Sequence, residues 1–217
     1  MNGLAALKTY ARAWQPVAPA ESRCQVCALA LDAGPHPHLV DLERRTLLCA
    51  CPSCAALVSQ SRDAGDRGGA RYRLVPTRVL IDRDFVLDRA QWDALRIPVH
   101  LAFIFFNSRD DRWVAFYPSP AGAAESALSL ENFGALAARA PLVAAIEPDV
   151  EALLVRGRPD GAFEAFLVSI ETCYRLVGQV RLHWQGFHGG DRAWHEIEAF
   201  FAGLRAQAQP LAPEARA

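Results

Sequence analysis

Lysine is almost missing from this 217-residue chain: Lys8 stands alone, and the other positive charges are arginines. They alternate with acids through Arg62, Asp63, Asp66, Arg67, Asp82, Arg83, Asp84, Asp88 and Arg89, and the formal net charge is -1. A nucleic-acid surface needs a positive patch to neutralise phosphates, so DNA or RNA binding is not expected. Also lacking is any run of about 18 apolar residues, the length a membrane-spanning helix requires. The richest stretch, Ile97 to Phe106, is shorter, contains His100 and reads as a buried strand. Met1 to Trp14 has neither a long apolar core nor a small-residue cleavage site, so export is not expected and a cytoplasmic location is. No internal repeat is found. Ser119 and Ser126 sit in no nucleophile elbow, and the HGG at 188–190 has no phosphate-loop lysine and follows a helix rather than a strand.

Hydrophobic residues make up 52% and charged residues 22% of the chain, which fits a globular fold with a large core rather than disorder. The length admits one domain, or one domain with a small appended module. In a reducing compartment, closely spaced cysteines favour metal binding over disulfides. Two such pairs occur, Cys24-x-x-Cys27 and Cys51-x-x-Cys54, separated by 23 residues. Each forms a short loop able to aim two thiolates at one ion, and two loops complete the tetrahedron of a structural zinc site. The intervening strands HLVDLE and TLLC would form the hairpin that brings the pairs together.

Three further donors accompany this set: Cys49, within CACPSC, and the His36-Pro37-His38 pair. One of them could replace a knuckle thiolate, or they could serve a second metal or an iron–sulfur cluster. Otherwise Cys49 is a small buried strand residue and the histidines are exposed loop residues. A thiol redox motif expects one CxxC beside a thioredoxin-like pattern, not two pairs. A catalytic zinc would want histidines and a carboxylate base; Asp41 and Glu43 lie near, but read as solvent-facing strand charges.

The expected fold is α+β: a mostly antiparallel sheet packed by C-terminal helices, with an N-terminal zinc-ribbon-like module. We divide the chain into an N-terminal helix and linker (1–22, the helix over 3–14), a zinc-binding module (23–58), a polar loop at 59–70, a body (71–205) and a flexible tail (206–217). Strands are predicted at 71–76, 97–106, 112–117, 150–155 and 163–170, and a short helix at 88–95 with Trp92 and Leu95 inward. YPSPAGAAES (117–126) should break regular structure, and helical spacing returns at 130–140. Ile170, Cys173, Tyr174, Val177, Val180 and Trp184 recur on one helical face. Asp191 is read as the N-cap of a last helix with Trp194, Ile197, Phe200, Phe201 and Leu204 buried. Glu151, Arg175 and Arg181 are candidates for a buried ion pair, His183, His188 and His195 read as surface or capping residues, and Cys173 as a small buried hydrophobe.

No triad, dyad or cofactor fingerprint emerges, which weighs against catalysis. The ordered set CxxC, HPHLVDLERRTLLCACPSC, IPVHLAFIFF, YPSPAGAAES, PDVEALLV, CYRLVGQVRLHWQGF and WHEIEAFF resembles an uncharacterised bacterial family whose members are encoded beside nickel–iron hydrogenase genes. Cys24, Cys27, His38, Cys49, Cys51 and Cys54 match its pattern. The resemblance implies a non-catalytic accessory or scaffold protein, with a hydrogenase subunit or maturation protein as partner. A metal-handling or redox protein is the alternative, and a zinc-dependent hydrolase a third reading. Oligomeric state is left open.

Overall fold

The structure, a computed structural model, describes residues 22–63, 71–95, 97, 99–126, 133, 140–158, 160–186 and 189–212. The helix expected over 3–14, most of that over 130–140, and His188 lie outside the described residues. What is described is α+β, with mostly antiparallel sheets and five helices among the described residues.

Three strands form a small sheet in the order β2-β1-β3: β1 (His38–Asp41), β2 (Thr46–Cys49) and β3 (Tyr72–Leu74). Between β2 and β3 runs α1 (Pro52–Asp63). Two expectations are corrected here. Residues 59–63 continue α1 instead of opening a loop, and β3 pairs antiparallel with β1 rather than with the body. Serine and glutamine at 59–61 look loop-like in composition, but α1 is started by Pro52 at its first position, where a missing N–H costs nothing.

Seven strands form the large sheet, in the order β10-β4-β9-β8-β5-β6-β7. They are β4 (Leu80–Ile81), β5 (Leu101–Asn107), β6 (Arg112–Ser119), β7 (Gly122–Glu125), β8 (Glu151–Gly157), β9 (Phe163–Ser169) and β10 (Gln209–Pro210). The helices added to it are α2 (Arg89–Ala94), α3 (Pro141–Ala144), α4 (Ile170–His183) and α5 (Gly190–Gln207). Strand alternation divides the central strands between two cores. Ala102, Ile104, Leu153, Val155 and Leu167 face Trp92, Leu142 and Val143, on the side of α2 and α3. Phe103, Ala152, Leu154, Phe166 and Val168 face Cys173, Leu176, Val177, Ile197 and Phe201, on the side of α4 and α5. Burial on both faces explains why β8 and β9 read as nearly unbroken apolar runs.

The turn expected at 117–126 is a tight hairpin instead. Pro118 pairs with Ala123 inside β6–β7, beyond the last residue of β6 that β5 reaches, so its lack of an N–H breaks no ladder on that side. Along α4 the buried residues are Ile170, Cys173, Leu176, Val177 and Val180, while Tyr174 is 45% exposed. In α5 Trp194 is 55% exposed, and the stripe is Ala193, Ile197, Phe201 and Leu204. Asp191 is not the N-cap: Gly189 holds that place at φ +85, with the Trp184 ring so close that a β-carbon would meet it at 3.1 Å. Asp191 lies in the first turn, where its charge complements the helix dipole.

The tail is also corrected over its described part. α5 runs to Gln207, β10 pairs parallel with β4, and Leu211 is buried in the core under α2 and α3. Proline and alanine suggest fraying, but here Pro210 occupies an edge strand, the place a sheet tolerates it. The buried ion pair of Glu151 is not with Arg175 or Arg181. Glu151 has no exposed surface and takes Arg78 bidentately, at 2.6 and 2.7 Å.

Candidate metal centre

Each cysteine pair owes its shape to local hydrogen bonds. In the first, the Ala28 amide donates to the Cys24 carbonyl at 2.8 Å and the Cys24 amide to the Leu29 carbonyl at 2.7 Å, with Ala28 at φ +63 closing the loop. Gln25 then locks this knuckle to β2, its amide donating to the Cys49 carbonyl at 2.9 Å and its side-chain oxygen accepting from the Cys49 amide at 2.7 Å. In the second, Cys51 immediately precedes α1, and its sulfur accepts from the Cys54 amide at 3.4 Å, as an N-capping side chain would. One turn of helix therefore points Cys51 and Cys54 the same way.

The four sulfurs of Cys24, Cys27, Cys51 and Cys54 all lie within 4.8 Å of one another, and the Cys27 and Cys51 sulfurs are 3.7 Å apart. Zinc–sulfur bonds of about 2.3 Å in a tetrahedron give sulfur–sulfur edges of roughly 3.8 Å, so the geometry fits that ion. All four cysteines are free thiols rather than cystines; Cys24, Cys51 and Cys54 are buried and Cys27 is exposed. Burial pushes the Cys24 thiol up, but the amides of Cys27, Cys51 and Val26 outweigh it and bring the group down to about 6. Cys54, in hydrogen bond with Cys51 and buried, is pushed up to about 12. Thiolates this close oppose one another's ionisation, and a cation at their centre removes the conflict.

The remaining candidates do not join this set. His36, His38 and Cys49 form a second group, whose ligand atoms also lie within 4.8 Å of one another. All three are half-buried, so the histidines are not exposed loop residues and Cys49, the last residue of β2, is not fully buried. Asp41 is likewise not solvent-facing. It is 0% exposed, accepts from the Glu43 and Arg44 amides in the β1–β2 turn, and takes Arg71 at 2.9 and 3.1 Å. The Arg71 guanidinium, against the opposing effect of burial and together with those amides, holds the Asp41 carboxyl below its ordinary value. Glu43 remains at the surface, 3.6 Å from Arg71. A carboxylate with a depressed folded pKa contributes stability above its unfolded value of about 4, and that contribution is lost as pH falls through the folded value. Asp41→Asn should therefore lower the melting temperature at pH 7 but converge with the parent protein as the pH falls below the folded value, as thermal melts across pH will read.

Two functional contributors escape sequence reasoning. Gln25 is an unremarkable residue inside a knuckle. Glu171 lies far along the chain in the first turn of α4, yet its carboxylate is 3.1 Å from His38 Nδ1. Only the folding of the small sheet against α4 could reveal it.

That contact belongs to a broad seam. β1 and β2 turn Leu39 and Leu48 toward the cysteines, and Val40 and Leu47 toward the core beneath α4. Arg45 pairs with Asp110 at 2.7 Å, Arg73 with Asp149 at 2.9 Å, and Arg109 donates to the Glu43 carbonyl at 3.1 Å. The metal ligands and the sheet behind them thus form one unit with the body, and a model of a protein family of unknown function, DUF5947, matches residues 23–208. The chain belongs to the DUF5947 family. The DUF5947 match starts one residue before the first cysteine and ends at the last residue before β10, so the cysteine cluster, the small sheet and every strand of the large sheet except β10 lie inside it. Comparison with curated proteins and with solved structures gave no match. Among the described residues, no helix is long and apolar enough to cross a membrane.

Proposed function

We propose that this member of DUF5947 is a non-catalytic accessory or scaffold protein, in which a zinc-ribbon-like module at residues 23–58 with β3 presents a surface built around one structural zinc. The convergence of four sulfurs from two loops carries this reading. Energetics support it. The buried residues around the cluster are Cys24, Leu39, Ala50, Cys51 and Cys54, of which only Leu39 is a large aliphatic side chain. Its burial contributes about 2–3 kcal/mol. Ordering some thirty residues costs tens of kcal/mol, so a tetrathiolate metal and docking to the body must supply much of the rest.

The resemblance described above supplies the partner: a nickel–iron hydrogenase subunit or maturation protein, met in the cytoplasm. Two measurements test the reading. Elemental analysis of protein purified without added metal should find zinc, with no visible absorption; iron-derived bands would overturn the zinc assignment in favour of a cluster. Affinity purification of the tagged chain from its native host should recover a hydrogenase component. Recovery of none, under conditions that keep weak complexes intact, would remove the partner while leaving the zinc untouched.

A further inference from the structure

A second cluster of donors sits at the seam between the small sheet and α4. His36 and His38 lie two residues apart on a segment stiffened by Pro35 and Pro37, so both rings emerge on one side of an extended chain; their centroids are 4.8 Å apart. The Ala50 amide donates to the Pro37 carbonyl at 2.9 Å, which fixes His38 directly opposite Cys49 at the open end of the β1–β2 pair. The Cys49 sulfur is then 3.7 Å from His38 Nε2.

Hydrogen-bond partners settle which nitrogens are available. His36 Nδ1 is 3.0 Å from the Gly34 carbonyl, and His38 Nδ1 is 3.1 Å from the Glu171 carboxylate. Both partners only accept, so both Nδ1 atoms carry hydrogen, and a neutral ring then has its lone pair on Nε2. His36 Nε2 is buried without any hydrogen-bond partner. A buried, unpartnered ring nitrogen beside a second imidazole and a thiol calls for an acceptor of lone pairs. A carbonyl or carboxylate on the far nitrogen is the support that metal-bound histidines use to fix tautomer and orientation.

We infer that His36 Nε2, His38 Nε2 and Cys49 Sγ form a second metal site, distinct from the tetrathiolate, for a divalent ion of the zinc class. Three protein ligands leave a fourth position for water or an incoming donor, and the half-buried surroundings let that position exchange. Two imidazoles and a thiolate suit zinc, cobalt or nickel, and disfavour magnesium or calcium. A bare Cys49–His38–Glu171 relay, as in a thiol nucleophile, uses two of these three ligands and the Glu171 carboxylate but gives His36 Nε2 no role. Glu171 belongs to the body while the three ligands belong to the small sheet and the segment leading into it, so the site ties metal occupancy to the seam.

The test is titration of the full chain, stripped of metal under reducing conditions, with Co2+ followed by absorption, alongside Zn2+ competition. The parent protein should take two equivalents with distinguishable spectra, the second released first by a mild chelator. His36→Ala with His38→Ala should take one equivalent, retaining the tetrathiolate spectrum, which also shows that the small sheet still folds. Glu171→Gln, a change on the body helix, should weaken the second site about 10- to 100-fold and leave the first unchanged. Saturation of the parent at one equivalent that carries the tetrathiolate spectrum overturns the site, as does a second equivalent that survives the double histidine change or is indifferent to Glu171→Gln. Rapid alkylation of Cys49 with no protection by Co2+ would point to the thiol relay instead. Loss of the tetrathiolate spectrum in the parent itself would strike the zinc module and not this inference.

Discussion

Cys51→Ser is expected to remove the tetrathiolate metal and unfold the front of the molecule. Cys51 does two jobs: its sulfur sits 3.7 Å from that of Cys27, and it also accepts the Cys54 amide at the start of α1. A serine oxygen keeps part of the second role and loses the first, because a neutral hydroxyl is a poor zinc ligand. Structural zinc supplies on the order of 10 kcal/mol of folding free energy at neutral pH, more than the whole stability of many domains. The large sheet has its own two cores, so its protection should survive. Hydrogen exchange by mass spectrometry should therefore show residues 23–63 and 71–75 exchanging freely while β5, β8 and β9 stay protected. Treatment of the parent protein with a strong chelator should reproduce the pattern. Uniform protection in the variant would mean that docking on Val40 and Leu47 holds the module without metal.

The second large effect concerns Arg78. Its partner Glu151 is fully buried at the start of β8, receives both guanidinium bonds and also accepts the Glu147 amide at 3.0 Å. Arg78 is itself 40% exposed. The two ends of the pair are therefore unequal: Arg78 without Glu151 can turn to water, but Glu151 without Arg78 is a carboxylate stranded in the core. Removing one partner of a buried pair costs roughly 3–5 kcal/mol when the other is left uncompensated. Arg78→Met should approach that loss, and Glu151→Gln should fall clearly below it. The double change should be less destabilising than Arg78→Met alone. Urea denaturation of the three variants gives the ordering, and equal losses for both single changes would refute the asymmetry.

Much of the front of the molecule was legible because its chemistry is local. The spacing of Cys24, Cys27, Cys51 and Cys54 specifies two loops, and the hairpin between them follows from alternation in HLVDLE and TLLC. The cores of β5, β8 and β9 showed as apolar runs, and α2 by the inward spacing of Trp92 and Leu95; the structure adds a capping box in which Asp88 and Gln91 exchange bonds. Misreadings came where composition or apolar spacing pointed one way and strand pairing or helix packing another. Proline in 117–126 suggested a break, but β7 pairs with β6 because its edge is open there. Trp194 and Tyr174 fit an apolar stripe, yet smaller Ala193 and Leu176 occupy the contact faces of α5 and α4. The tail composition suggested disorder, while β4 offered Gln209 and Pro210 a free edge.

By itself, the sequence determined that a set of soft ligands lies in two short loops and that a mostly antiparallel α+β body follows. Tertiary structure decided how seven donors divide. Register placed His38 against Cys49, the Pro37 carbonyl anchored that end of the hairpin, and the packing of Val40 and Leu47 under α4 brought Glu171 to His38. Ligand identity is a matter of side-chain type and can be read from a string. Ligand grouping is a matter of distance between strands and helices, which only a folded backbone sets.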